Sequence, residues 1–229
     1  MEVWWADAHD NPAAYRDPVS VASLVDGALQ ADPSTRDAAA GALSGVVKAL
    51  DDDPIEESVR IVARRMPELV RGLADPDPSY SGQMISIARR IPIDAATVEA
   101  LLALIDTTPA AEDRVLPVSA LGICADDVWS DRIESTLASC LGDPVTFGAA
   151  VDGFYGREHR FRRPETVRAI GSGVIQARHL DTTRAIATLW SLLRSDFAAL
   201  ATAMLEQLAA ARPELRAEIA EIRRWAAPD

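Results

Sequence analysis

Six Asp-Pro pairs punctuate the chain, at Asp17-Pro18, Asp32-Pro33, Asp53-Pro54, Asp75-Pro76, Asp77-Pro78 and Asp143-Pro144, and each precedes a segment whose apolar residues recur at helical spacing. An aspartate at a helix N-cap accepts a hydrogen bond from an orphan amide of the first turn. A proline at the first helical position gives up nothing, because its missing N–H would have had no partner there. The pair is therefore a helix-start signal with a mechanism, and its repetition predicts helix after helix joined by short linkers.

The spacing predicts helices over 18–30, 33–50, 54–74, 79–91, 94–106, 110–124, 129–141, 144–154, 164–178, 181–194, 196–211 and 213–226. The clearest stripe runs through Ile55, Val59, Val62, Met66, Leu69 and Leu73, which step by three or four onto one face. Pro67 lies inside that segment and is expected to kink or split it, since it removes a backbone bond and crowds the preceding turn. Apolar residues make up 48 % of the 229 and aromatics only 5 %, with alanine and leucine abundant. That mix suits closely packed helices, and no stretch alternates apolar and polar residues between turn signals as a strand would. The predicted fold class is all-α.

The formal net charge is −12, and Lys48 is the single lysine among 23 basic residues. A free-standing nucleic-acid binder draws most of its affinity from neutralised phosphates, so this balance argues against a nucleic-acid partner. Cys124 and Cys140 fall in apolar helical stretches and read as buried free thiols. The start, Met1-Glu2-Val3-Trp4-Trp5, lacks the positive and apolar regions of a signal peptide. No run reaches the roughly 18 apolar residues of a membrane span. The expectation is a cytoplasmic protein without membrane contact.

Two repeats can be read by eye. VARRMP at 62–67 returns as IARRIP at 87–92. An arginine followed by small or apolar residues three and six positions on occurs at Arg36/Ala39/Ala42, Arg60/Ala63/Met66, Arg168/Gly171/Val174 and Arg184/Ala187/Trp190, with a looser copy at Arg216/Ile219/Ile222. In these residues, and best in DPSTRDAAAGAL at 32–43, the chain resembles HEAT repeats, whose second helix carries Asp-Pro, an arginine and then alanines at helical spacing. The resemblance implies a short right-handed α-solenoid of about 5–6 antiparallel helix pairs, with a concave ridge that binds other macromolecules. Residues 1–16 then form an N-terminal extension or cap and 17–229 the solenoid, with a candidate internal break at 153–163. Trp4, Trp5 and Tyr15 are expected to close one end and Trp225 the other.

Two arginine groups are the candidate binding residues. Arg64, Arg65, Arg89 and Arg90 form a ladder for carboxylates or phosphates if the two repeats stack in register. Otherwise each pairs with one of the 35 acidic residues nearby. Arg157, His159, Arg160, Arg162 and Arg163, with Phe161 between them, are the densest positive cluster. They read either as a grip for an anionic strand or acidic partner segment, or as a solvated loop. Asp51-Asp52-Asp53 lacks the glycine and terminal glutamate of a calcium loop and reads as a helix end before the next N-cap, and Asp126-Asp127 and Asp131 are judged alike. His9, His159 and His179 have no partner at metal-binding spacing. Gly171-Ser172-Gly173 follows no strand, which makes it a helix-packing feature rather than a dinucleotide loop.

No nucleophile elbow, Walker loop or kinase signature occurs, and no metal or cofactor is expected. The leading expectation is a non-catalytic scaffold that holds a protein partner. The alternative is an enzyme similar to the HEAT-repeat DNA glycosylases, which use tryptophans, an aspartate and an arginine on a basic surface. Trp129, Asp131, Arg163 and Trp190 are residues of those types here.

Overall fold

The computed structural model describes residues 4–176 and 182–226, and among them every regular element is helical. The chain divides into two compact units, 1–128 and 129–229. Segment 153–163 lies within the second.

The first unit holds α1 (Trp4–Asp10), α2 (Pro18–Ala28), α3 (Pro33–Asp52), α4 (Glu56–Leu69), α5 (Pro78–Ala88), α6 (Ala95–Thr107) and α7 (Ala111–Gly122). Three of the six Asp-Pro aspartates cap a helix. Asp17 accepts from the amides of Val19 and Ser20, Asp32 from that of Thr35, and Asp77 from those of Ser79 and Tyr80. Asp53, Asp75 and Asp143 do not. Asp53 ends α3 and pairs with Arg16 at 2.5 Å, while Asp75 accepts from the Asp77 amide and pairs with Arg36. Asp143 accepts from Val145 in a turn before the next helix. Asp94 caps α6 without a following proline. The dipeptide marks a chain turning toward a helix, and the local backbone decides whether the cap is its own aspartate.

Pro67 does not split its helix. α4 runs through it to Leu69 and then tightens into a 3-10 turn over Val70–Ala74. Val62, Met66, Leu69 and Leu73 of the apolar stripe are all buried, and burial of such a side chain contributes about 1.5–3 kcal/mol.

Packing within this unit follows two rows. α2 packs on α4 and α4 on α6, while α3 packs on α5 and α5 on α7. Across the rows α2 meets α3, the 3-10 turn after α4 meets α5, and α6 meets α7. α3 is covered on several sides, by α1, α2 and α5, which accounts for its small buried residues Ala39, Ala40 and Ala42. Close approach is explicit at Gly27, where an added Cβ would stand 2.7 Å from both Ala39 Cβ and the Trp5 ring. Residues 4–16 thus pack as part of the unit. Trp5 is buried against α2, and Trp4 stacks on Tyr15 with ring centroids 5.4 Å apart.

The second unit holds α8 (Asp131–Cys140), α9 (Phe147–Phe154), α10 (Pro164–Gln176), α11 (Thr183–Ser191), α12 (Ala198–Ala211) and α13 (Arg216–Ala226). It too has two rows, α8–α10–α12 and α9–α11–α13, with α8 on α9, α10 on α11 and α12 on α13. Gly171 and Gly173 sit at the closest approaches. A Cβ on Gly171 would meet Met204 Sδ at 2.9 Å, and one on Gly173 would meet the Leu141 carbonyl at 2.7 Å. The glycine pair is a helix-packing device. Cys124 and Cys140 are buried free thiols. His179 and the Trp225 side chain lie outside the described residues.

Candidate functional site

The two Arg-Arg pairs do not form one ladder. VARRMP lies in the middle of α4 and IARRIP at the end of α5, helices that belong to opposite rows. The two hexapeptides are therefore not equivalent positions of a repeat. Their likeness reflects a shared need to bury Val62 and Met66 in one case and Ile87 and Ile91 in the other. The Arg-small-small pattern is also spread over both rows, since it occurs on α3 and α4 of the first unit and on α10 and α11 of the second.

On α4 the arginines are tied off. Arg65 donates to Asp26 of α2 at 2.8 Å and pairs with Glu68 at 2.8 Å. The Glu68 carboxylate, followed by that of Asp26, raises the Arg65 guanidinium pKa. Arg64 lies 3.9 Å from Glu57.

On α5 the pattern differs. Arg89 is the C-cap residue and is exposed, and Arg90 folds back to donate to the Ser86 carbonyl at 2.8 Å and the Ser86 hydroxyl at 3.0 Å. The same hydroxyl accepts from Ser44 of α3 at 3.0 Å, which holds the two helices together. Two cations at a helix C-terminus are favoured by the helix dipole. Among the described residues no carboxylate is within ion-pair distance of Arg89 or Arg90.

A concavity of about 380 Å³ opens beside them, between the C-terminal ends of α3 and α5. Asp51, Gly82, Ile85, Ser86, Arg89 and Arg90 line it. A second concavity of about 260 Å³ shares Asp51 and Arg90 and is otherwise apolar, with Val47, Leu50, Val59 and Ile91 on its walls. A Cβ on Gly82 would meet nothing within 4 Å, so this glycine leaves open space rather than a contact. The acidic run 51–53 thus ends α3 and lends one residue, Asp51, to this groove. Asp53 is not the next N-cap, which is Ile55.

No protein-family model matches the chain. Nor does any curated protein sequence.

The cluster at 157–163 is anchored to its own unit. Arg160 is buried, its guanidinium 4.7 Å above the Trp129 ring, and its carbonyl accepts from the Trp129 indole at 3.0 Å. Phe154 and Phe161 complete this aromatic group, with ring centroids 5.1 Å apart. Arg162 lies 3.8 Å from Asp131, Arg163 donates to the Ser135 hydroxyl, and Arg157 donates to the Gly153 carbonyl at 3.3 Å. His159 is exposed. The segment is a strap over α8 and α9. Trp129, one of the residues of glycosylase type, is buried beneath it and offers no open face for a base.

Sequence reasoning overlooked Glu134. It is fully buried on α8 and accepts from the amides of Arg162 and Arg163 and from the Thr166 hydroxyl. The available signal was its position among Ile133, Leu137 and Leu141, a glutamate on an apolar stripe. Among the described residues no group of three His, Cys, Asp or Glu is arranged to hold a metal ion, and no helix is long and apolar enough to cross a membrane.

Proposed function

We propose that the chain is a non-catalytic, HEAT-like α-solenoid scaffold that binds a protein partner. The observation that carries this reading is the alternation of successive helices between two rows within each unit, so that every new pair extends both rows. Each pair has an apolar face that it buries only against its neighbours, which is the logic of a repeat array. Such arrays leave helix ends and one row available to a partner.

A protein partner is favoured over nucleic acid on electrostatic grounds. Arg36, Arg60, Arg65, Arg162 and Arg184 each face a carboxylate of their own unit, which breaks up the continuous positive ridge that phosphates require. The net charge of −12 opposes polyanions further.

The test is affinity capture from an extract of the native cell, followed by reconstitution of the chain with the purified partner and measurement of complex mass by light scattering. A stoichiometric protein complex is expected. Recovery of nucleic acid alone, or of no partner at physiological salt, overturns the reading.

A further inference from the structure

The geometry points to the groove between the ends of α3 and α5 as the seat of a partner peptide that presents one carboxylate beside one large apolar side chain. This inference rests on the scaffold reading and names the chemistry of its partner.

Arg89 and Arg90 are two adjacent cations with no carboxylate at pairing distance among the described residues, whereas Arg36, Arg65 and Arg162 of the same chain each face one. Arg90 is held by the Ser86 carbonyl and hydroxyl and so is already ordered. A guanidinium fixed in this way loses little freedom when it binds, and guanidinium groups recognise carboxylates by paired N–H donors. The polar concavity next to Arg89 takes the carboxylate, and the apolar one next to Val47, Leu50 and Ile91 takes the hydrophobic side chain. Because the two share Asp51 and Arg90, both groups belong to one short segment.

Asp51 lowers the net positive charge of the groove without cancelling it. It sits on the rim of both concavities and has no ion-pair partner among the described residues. A singly charged carboxylate held by two arginines tolerates that neighbour. A phosphate or a nucleic-acid strand gains nothing from the apolar half, which only a large apolar side chain fills.

The probe is an array of short synthetic peptides with a central Leu-Glu, matched to arrays carrying Ala-Glu and Leu-Lys, and titrated by fluorescence anisotropy against the full chain. Two variants accompany it. Arg89→Ala removes the open cation, and Gly82→Leu fills the polar concavity from a position with free space around it. Circular dichroism and thermal melting check that both remain folded.

The expected result is preferential binding of Leu-Glu peptides, weakened about tenfold or more by either variant and barely affected by inorganic phosphate. Equal binding of the three arrays, or unchanged binding by both variants, overturns the inference. So does displacement of the peptide by phosphate or by single-stranded DNA. If the native partner binds the variants as well as it binds the wild-type chain, the groove assignment fails and the scaffold reading stands. If no protein binds the wild-type chain, both fail.

Discussion

The Thr166 hydroxyl donates to the Glu134 carboxylate at 2.6 Å, and neither side chain has appreciable exposure. Glu134 thereby ties α8 to the start of α10, and the Arg162 and Arg163 amides complete its shell. Removing it orphans three donors at once. Glu134→Ala is expected to lower stability by about 3 kcal/mol, and Thr166→Val by about 1–2 kcal/mol, in urea unfolding followed by circular dichroism. Glu134→Gln recovers only part of the loss, because its amide group turns N–H donors toward donors. A neutral Glu134→Ala would mean that this carboxylate does not organise the turn.

Arg36 joins α3 to the start of α5. It bonds Asp75 at 2.7 Å and Asp37 at 3.1 Å, and its guanidinium lies 4.0 Å from the Tyr80 ring centroid. Arg36→Lys keeps the charge but cannot stack and pair at the same time, so it is expected to behave much like Arg36→Ala, with a cost of about 1–2 kcal/mol. A double-mutant cycle between Arg36 and Asp75 should give a coupling near 1 kcal/mol, discounted for the partial exposure of both side chains. Full rescue by lysine would refute the role of stacking.

Two glycine-to-alanine changes should act in opposite directions. Gly173→Ala drives a Cβ to 2.7 Å from the Leu141 carbonyl and the Phe147 ring, and is expected to cost about 1–3 kcal/mol. Gly82→Ala meets open space in a helix interior and is expected to stabilise by about 0.5–1 kcal/mol. Thermal melts of the two single variants check both signs.

The helix caps predict an acid-sensitive fold. The Ser20 hydroxyl holds the Asp17 carboxyl below its ordinary range, the Thr35 and Ser34 side chains do so for Asp32, and the Ser79 amide for Asp77. A carboxyl whose folded pKa is depressed adds stability that is complete above its unfolded value, about 3.8, and is lost as pH falls through the folded value. The melting temperature should therefore drop as pH is lowered below about 4. Asparagine is an equally good cap that does not titrate, so Asp17→Asn, Asp32→Asn and Asp77→Asn combined should flatten the drop. An unchanged slope would place the acid sensitivity elsewhere.

Much of the helical plan was legible because its causes are local. Apolar stripes and capping aspartates act within a few residues, and the predicted starts at 18, 33 and 164 coincide with those of α2, α3 and α10. α1 escaped notice because its seven residues are too few to show a period, and it is held by Trp5 packing against α2. The likeness of VARRMP to IARRIP misled for the same reason. A hexapeptide records which side chains must be buried but not which row its helix joins.

By itself, the order of residues determined that this chain would be a succession of amphipathic helices with few rings, many alanines and a strong negative charge. Only the tertiary structure decided which arginines were spent. Arg65 found Asp26, 39 residues away, and Arg162 found Asp131, while Arg89 and Arg90 came to rest beside a groove. Helix formation depends on neighbours within a turn or two. Ion pairing, by contrast, depends on which helix faces which, and packing sets that by burying area without regard to sequence distance.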